Sequence, residues 1–134
     1  VFLSLITSIN QGRNLARDPM ATPVSCVIYY KGKPYGWGGA MGPAQFIPST
    51  WVKAGYGQKV SDITGRVADP WDIRDAFLAS AMKLGAGGAT SVSGEWAAAM
   101  KYFSGSTNPR FRFYGDNVVV LAEEYQKDMD ELSK

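Results

Sequence analysis

The residues that could move a proton or hold an ion are few, and their spacing narrows the chemistry further. The 134-residue chain has no histidine, which removes the commonest general base, the commonest metal ligand and every Ser-His or Cys-His nucleophile pair. Cys26 is the only cysteine, so no disulfide closes within the chain, and the ordinary reading of such a thiol is a small packing residue. Asp69, Asp72 and Asp75 cluster at the start of an apolar-periodic segment, which is the spacing of caps and dipole partners and not of a calcium loop. Glu95, the first glutamate, opens another such segment and reads the same way. Asp18 stands in an Asp-Pro step, a turn or helix start. Glu123, Glu124, Asp128, Asp130 and Glu131 read as a solvated helix face. No acid is marked as a proton donor, and no metal or cofactor is implied.

The densest unusual stretch is "GWGGAMGPAQFIPSTW" at 36–51, which holds four glycines, two prolines and two tryptophans and carries no charge. That composition suits neither an ordinary helix nor a strand. It follows a glycine- and proline-bearing region, residues 12–42, that reads as one long structured loop, the kind of segment on which binding residues are often mounted.

The elements that must position this stretch are mostly helices. Phe2, Leu3, Leu5, Ile6 and Ile9 predict a short helix over residues 1–11, and "CVIYYKGKPYGW" allows a small hairpin with a strand at 27–30 and a turn at 31–34. A short helical turn near 43–51, a break at Pro48 and a second helix beginning there are expected, and residues 55–67 read as a surface connection. A helix is expected over 69–84, with Asp69 as N-cap and Pro70 in its first turn, ending at Gly85 to Gly88. Two more follow at 95–103, with Trp96, Met100 and Phe103 on one side, and at 116–132, where Val118, Leu121, Ala122, Tyr125, Met129 and Leu132 form an apolar stripe. Trp51, Trp71, Phe77 and Trp96 are expected in the core.

Composition agrees with one mainly α domain over residues 1–134. With 46% hydrophobic residues the chain can build a modest core, and a net charge of +2 gives no footing to nucleic acid as a partner. No apolar run reaches the length of a membrane span. The opening "VFLSLITSI" has no capping residue before it and reads as a processed or truncated end.

Three segments in order, "GGAMGPAQFIPSTW" at 38–51, "DPWDIRDAFLASAMKL" at 69–84 and "AAAMKYFSGS" at 97–106, resemble the catalytic domain of lytic transglycosylases, in the branch marked by a Gly-Ala-Met-Gly-x-x-Gln-Phe-x-Pro-Ser run. The resemblance covers about residues 36–125 and implies a lysozyme-like helical domain with a groove for the glycan strands of peptidoglycan. It implies non-hydrolytic cleavage between N-acetylmuramic acid and N-acetylglucosamine. A protonated glutamic acid serves the leaving oxygen, and the muramic 6-hydroxyl closes a 1,6-anhydro end. It also implies a location outside the cytoplasmic membrane. By the same resemblance Gln45 and Met41 are substrate-binding residues and Tyr102 is the late cleft tyrosine, although Phe103 stands where the family usually has asparagine. The chemistry of the opening stretch is compatible with this: glycines allow close approach of backbone to a sugar, and uncharged walls add no cation beside an acid that must stay protonated. Tyr35 and Trp37 offer flat faces to pyranose rings.

The family's catalytic glutamate precedes the Gly-Ala-Met-Gly run, and ahead of Gly38 this chain has only Asp18. The expectation is therefore that the acid lies upstream of Val1. A catalytically inactive peptidoglycan-binding or structural domain, and a muramidase that cleaves the same bond with water, share nearly all of these residues.

Overall fold

The structure, a computed structural model, describes residues 26–134. The helix expected over residues 1–11, residues 12–25 of the expected loop, and Asp18 lie outside the described residues. Among the described residues the protein is mainly helical. The chain divides into two compact units, Val1–Ser80 and Ala81–Lys134.

In the first unit a hairpin joins β1 (Cys26–Tyr30) to β2 (Lys33–Gly38). Tyr30 pairs with Lys33, so the turn is only Lys31-Gly32, tighter than the 31–34 turn expected. Both residues are left-handed (φ 51° and 76°), as the two-residue turn matching the twist of paired strands requires. Lys33 and Pro34 thereby become strand. The register then slips: Ile28 pairs with Gly36 but Tyr29 with Pro34, which leaves Tyr35 as the extra residue of a bulge. Pro34 has no N–H to give the ladder, and a bulge is where a strand tolerates that loss.

After the hairpin, Gly42 to Gln45 make a turn closed by a Met41–Phe46 bridge, and a π-helical turn, Ser49–Lys53, follows Pro48. Residues 55–67, expected as a surface connection, instead contain α1 (Tyr56–Thr64), bounded by left-handed Gly55 and Gly65. Its inward side is only Gly57 and Val60, too little apolar periodicity to read from sequence. Gly57 lies against the indole of buried Trp51, where a Cβ would collide with Nε1, so packing requires a residue that helix propensity disfavours.

The next helix, α2 (Ile73–Gly87), starts four residues after the expected Asp69. Asp69 caps a separate turn, accepting from the Trp71 amide (2.9 Å), while Asp72 takes the helix cap by accepting from the amides of Arg74 (2.9 Å) and Asp75 (3.2 Å). The core of this unit is Met41, Phe46, Trp51, Val60, Ala68, Ala76 and Ala79. Trp51 meets Phe46 edge-on at 5.4 Å, and Phe46 lies 5.7 Å from Tyr56.

In the second unit α3 (Val92–Ser104) starts three residues before the expected Glu95, and a 3₁₀ turn (Pro109–Phe111) leads into α4 (Arg112–Leu132). Ala98, Ala99 and Met100 of α3 are buried, and buried Gly115 of α4 lies close to Trp96 and Met100. The stripe expected to bury α4 does not do so beyond its first turns: Leu121, Tyr125, Met129 and Leu132 are exposed. With 21 residues against 13, α4 is about 12 Å longer than α3 at 1.5 Å per residue, and its end outruns that partner. Of the aromatics expected in the core, Trp51 is buried, Trp71 is half-buried, and Phe77 and Trp96 are exposed.

Candidate functional site

The uncharged stretch folds as a small cross-braced turn. Met41 donates its amide to the Phe46 carbonyl (2.8 Å), Phe46 returns one to Met41 (3.2 Å), and the Gln45 amide reaches the Gly42 carbonyl (3.2 Å). Met41 and Phe46 point into the core, Met41 at 0% exposure, so its side chain is a floor beneath the turn. The Met41 side chain, expected at the cleft, lies here in the core beneath the loop. Gln45 is exposed, and its Nε2 donates to the Gly42 carbonyl at 2.8 Å. This holds the carboxamide in place while using one of its four hydrogen-bonding positions.

Gln45 has φ 55°, in the left-handed region that glycine enters freely and that costs a side chain about 1–2 kcal/mol. Among the described residues Lys31 in the hairpin turn, at φ 51°, is the other non-glycine residue with this backbone. Gly42, at φ 63°, is required on two counts: the turn needs left-handed backbone there, and a Cβ would run into the Pro70 carbonyl.

Pro70 is itself held by a charged network. The Asp75 carboxylate, 1% exposed, takes both arms of the Arg66 guanidinium (2.6 and 2.8 Å) and the Asp69 amide (2.8 Å). The Ala68 amide bonds the Ser61 hydroxyl at 3.1 Å, tying the same segment to α1. Asp75, expected as a dipole partner at a helix start, is thus turned inward as an acceptor for three donors. It braces the turn. The amide of Asp75, then that of Arg74 and the Arg66 and Arg74 charges, hold the Asp72 carboxyl below the usual range against an opposing desolvation. Among the described residues no group of three or more Asp, Glu, Cys or His could hold a metal ion.

The remaining sequence-predicted residues divide between the units. Tyr35 and Trp37 fall on β2, Trp37 paired with Val27 and Tyr35 at the bulge, in the strand that leads into the turn. Tyr102 is on α3 in the second unit, where Lys83 donates to its carbonyl (2.8 Å) and stands 3.8 Å from its ring centroid. Burial pushes the Lys83 ammonium below its ordinary range. In the same unit Trp96 Nε1 donates to Asp116 (2.8 Å), and Arg112 pairs with the same carboxylate (3.1 Å); the two bonds hold its pKa down, the tryptophan first.

Lys83 and the Arg66–Asp75 pair were not visible in the sequence as site-building residues. Their partners are 19 and 9 positions away, and no local pattern announces such a pairing. The chain matches no family model, no curated protein and no solved structure.

Proposed function

We propose that the chain is the glycan-binding part of a peptidoglycan lytic transglycosylase acting outside the cytoplasmic membrane, with Gln45 touching substrate and the proton-donating glutamate supplied by a residue outside these 134. The observation that carries this reading is the strained, exposed and hydrogen-bonded Gln45 on an uncharged turn. A neutral carboxamide can donate to and accept from the N-acetyl and hydroxyl groups of a neutral sugar, and a stretch that itself carries no charge over residues 36–51 suits an acid that must remain protonated. The buried Asp75, engaged by Arg66 and Asp69, supports placing the acid elsewhere. No second carboxylate is needed, because the muramic 6-hydroxyl attacks its own anomeric carbon while the leaving oxygen takes the proton, unlike two-carboxylate glycosidases.

The test is sedimentation of the chain with purified peptidoglycan, followed by mass spectrometry of soluble products. Binding that Gln45→Ala weakens about tenfold is expected, the loss of about one hydrogen-bonding group's 1.4 kcal/mol. Release of anhydromuropeptides by this chain alone would overturn the placement of the acid, reducing ends would make it a hydrolase, and failure to bind would overturn the whole reading.

A further inference from the structure

A second feature lies wholly within the second unit. Phe103 of α3 is the hub of an aromatic cluster: Phe111 and Phe113 meet it edge-on at 5.8 and 5.7 Å, and Tyr114 stacks on it at 4.6 Å. The cluster is on the surface, with Phe103 50% and Phe113 53% exposed. Rings that merely filled a core would not leave half their surface in water, at roughly 25 cal/mol for each Å² so exposed. Cations alternate with these rings along "RFRFY" at 110–114: Arg110 is exposed, 5.7 Å from the Phe111 ring, and Arg112 is exposed beside Asp116. The backbone is fixed in advance, because Asn108 caps the 3₁₀ turn, accepting from the Arg110 amide at 3.0 Å, and α4 starts at Arg112.

We propose that Phe103, Phe113 and Arg110 form a second binding surface for carboxylate-bearing glycan, which extends the hold of this protein on peptidoglycan beyond the Gly42–Gln45 turn. The ligand class rests on the function proposed above; the surface itself rests on the cluster. Exposed rings give flat apolar faces to the C–H side of pyranoses, and an exposed guanidinium recognises the carboxylates of the lactyl and peptide groups. A single-stranded nucleic acid would also stack on rings, but it carries a phosphate at every residue. The helix that continues from the cluster bears Asp116, Glu123, Glu124, Asp128, Asp130 and Glu131 against Arg112 and Lys127. That field repels a dense polyanion and tolerates sparse carboxylates.

The experiment compares the chain with Phe113→Leu, Phe113→Ala, Arg110→Gln and Gln45→Ala, each checked for an unchanged melting curve. Purified peptidoglycan, a neutral N-acetylglucosamine tetramer and a thymidine oligonucleotide serve as ligands. Phe113→Leu keeps apolar volume and loses only the ring face, so the result does not depend on the alanine variant folding. Phe113→Leu is expected to weaken binding of peptidoglycan and tetramer several-fold, and Arg110→Gln to weaken peptidoglycan alone, in a salt-sensitive manner. If both variants bind peptidoglycan as the parent does while Gln45→Ala loses it, the second surface is wrong and the proposed function stands. If the parent binds no peptidoglycan, both are overturned. Oligonucleotide binding that depends on Phe113, in preference to peptidoglycan, would overturn the ligand assigned here.

Discussion

Replacing Gly42 by alanine separates two costs that are usually confounded. Gly42 and Gly65 have nearly the same left-handed backbone, φ 63° and 68°, so a Cβ at either incurs the same conformational cost of about 1–2 kcal/mol. They differ in surroundings: nothing stands within 4 Å of a Cβ at Gly65, whereas at Gly42 it would overlap the Pro70 carbonyl. Pro70 cannot yield easily, since it is fully buried and adjoins Asp69, whose amide is held by the Asp75 carboxylate. The turn must therefore move off Pro70 by roughly an ångström or more, a backbone overpacking worth about 1–3 kcal/mol. Gly42→Ala is expected to cost about 2–5 kcal/mol and Gly65→Ala about 1–2 kcal/mol, in urea unfolding followed by circular dichroism with unchanged m. The displaced turn carries Gln45, so the glycan binding proposed above is expected to fall in Gly42→Ala and not in Gly65→Ala. Two variants of equal stability, within about 0.5 kcal/mol, would refute the account of the Pro70 contact.

Two further outcomes can be checked in the same way. Arg66→Ala leaves a carboxylate that is 1% exposed with the Asp69 amide as its remaining described donor, and should cost about 3–5 kcal/mol; Asp75→Ala leaves an Arg66 side chain that is 48% exposed and can rehydrate, and should cost about 1–3 kcal/mol. The double variant should lose less than the sum, and an Asp75→Ala cost above that of Arg66→Ala in denaturant titration would contradict this ordering. For Lys83 the folded state lowers the pKa below 10.5, so between the two values the unfolded chain binds more protons and stability rises with pH. The stability of the parent relative to Lys83→Met should therefore increase as pH climbs towards 10.5, and a flat difference would refute the burial of that ammonium.

Much of the helical content was legible because it is written locally. The helices around 73–87 and 92–104 carry apolar residues, an acid in the first turn and a glycine stop, that around 112–132 carries an apolar stripe, and all three were displaced mainly at their ends. Those ends shifted for reasons outside local signals. Asp69 and Asp72 are equally good caps, and the choice between them falls to Asp72 because Pro70 and Asp69 are engaged by Gly42 and Asp75. The helix Tyr56–Thr64 was invisible because two of its features, Gly57 and a nearly polar face, argue against a helix until Trp51 is placed beside it. The stripe on α4 was real as a pattern, but whether a stripe is buried depends on a partner long enough to cover it.

For the candidate site the division follows the same physics. Residue types alone excluded histidine-based and disulfide chemistry and marked an uncharged, glycine-rich stretch with one glutamine as the place to look. Tertiary structure alone decided that Met41 lies beneath that stretch and Gln45 upon it, and that Asp75 is locked against Arg66 and the Asp69 amide. Composition and periodicity are properties of neighbours along the chain, whereas exposure and charge pairing depend on which distant segments share a space.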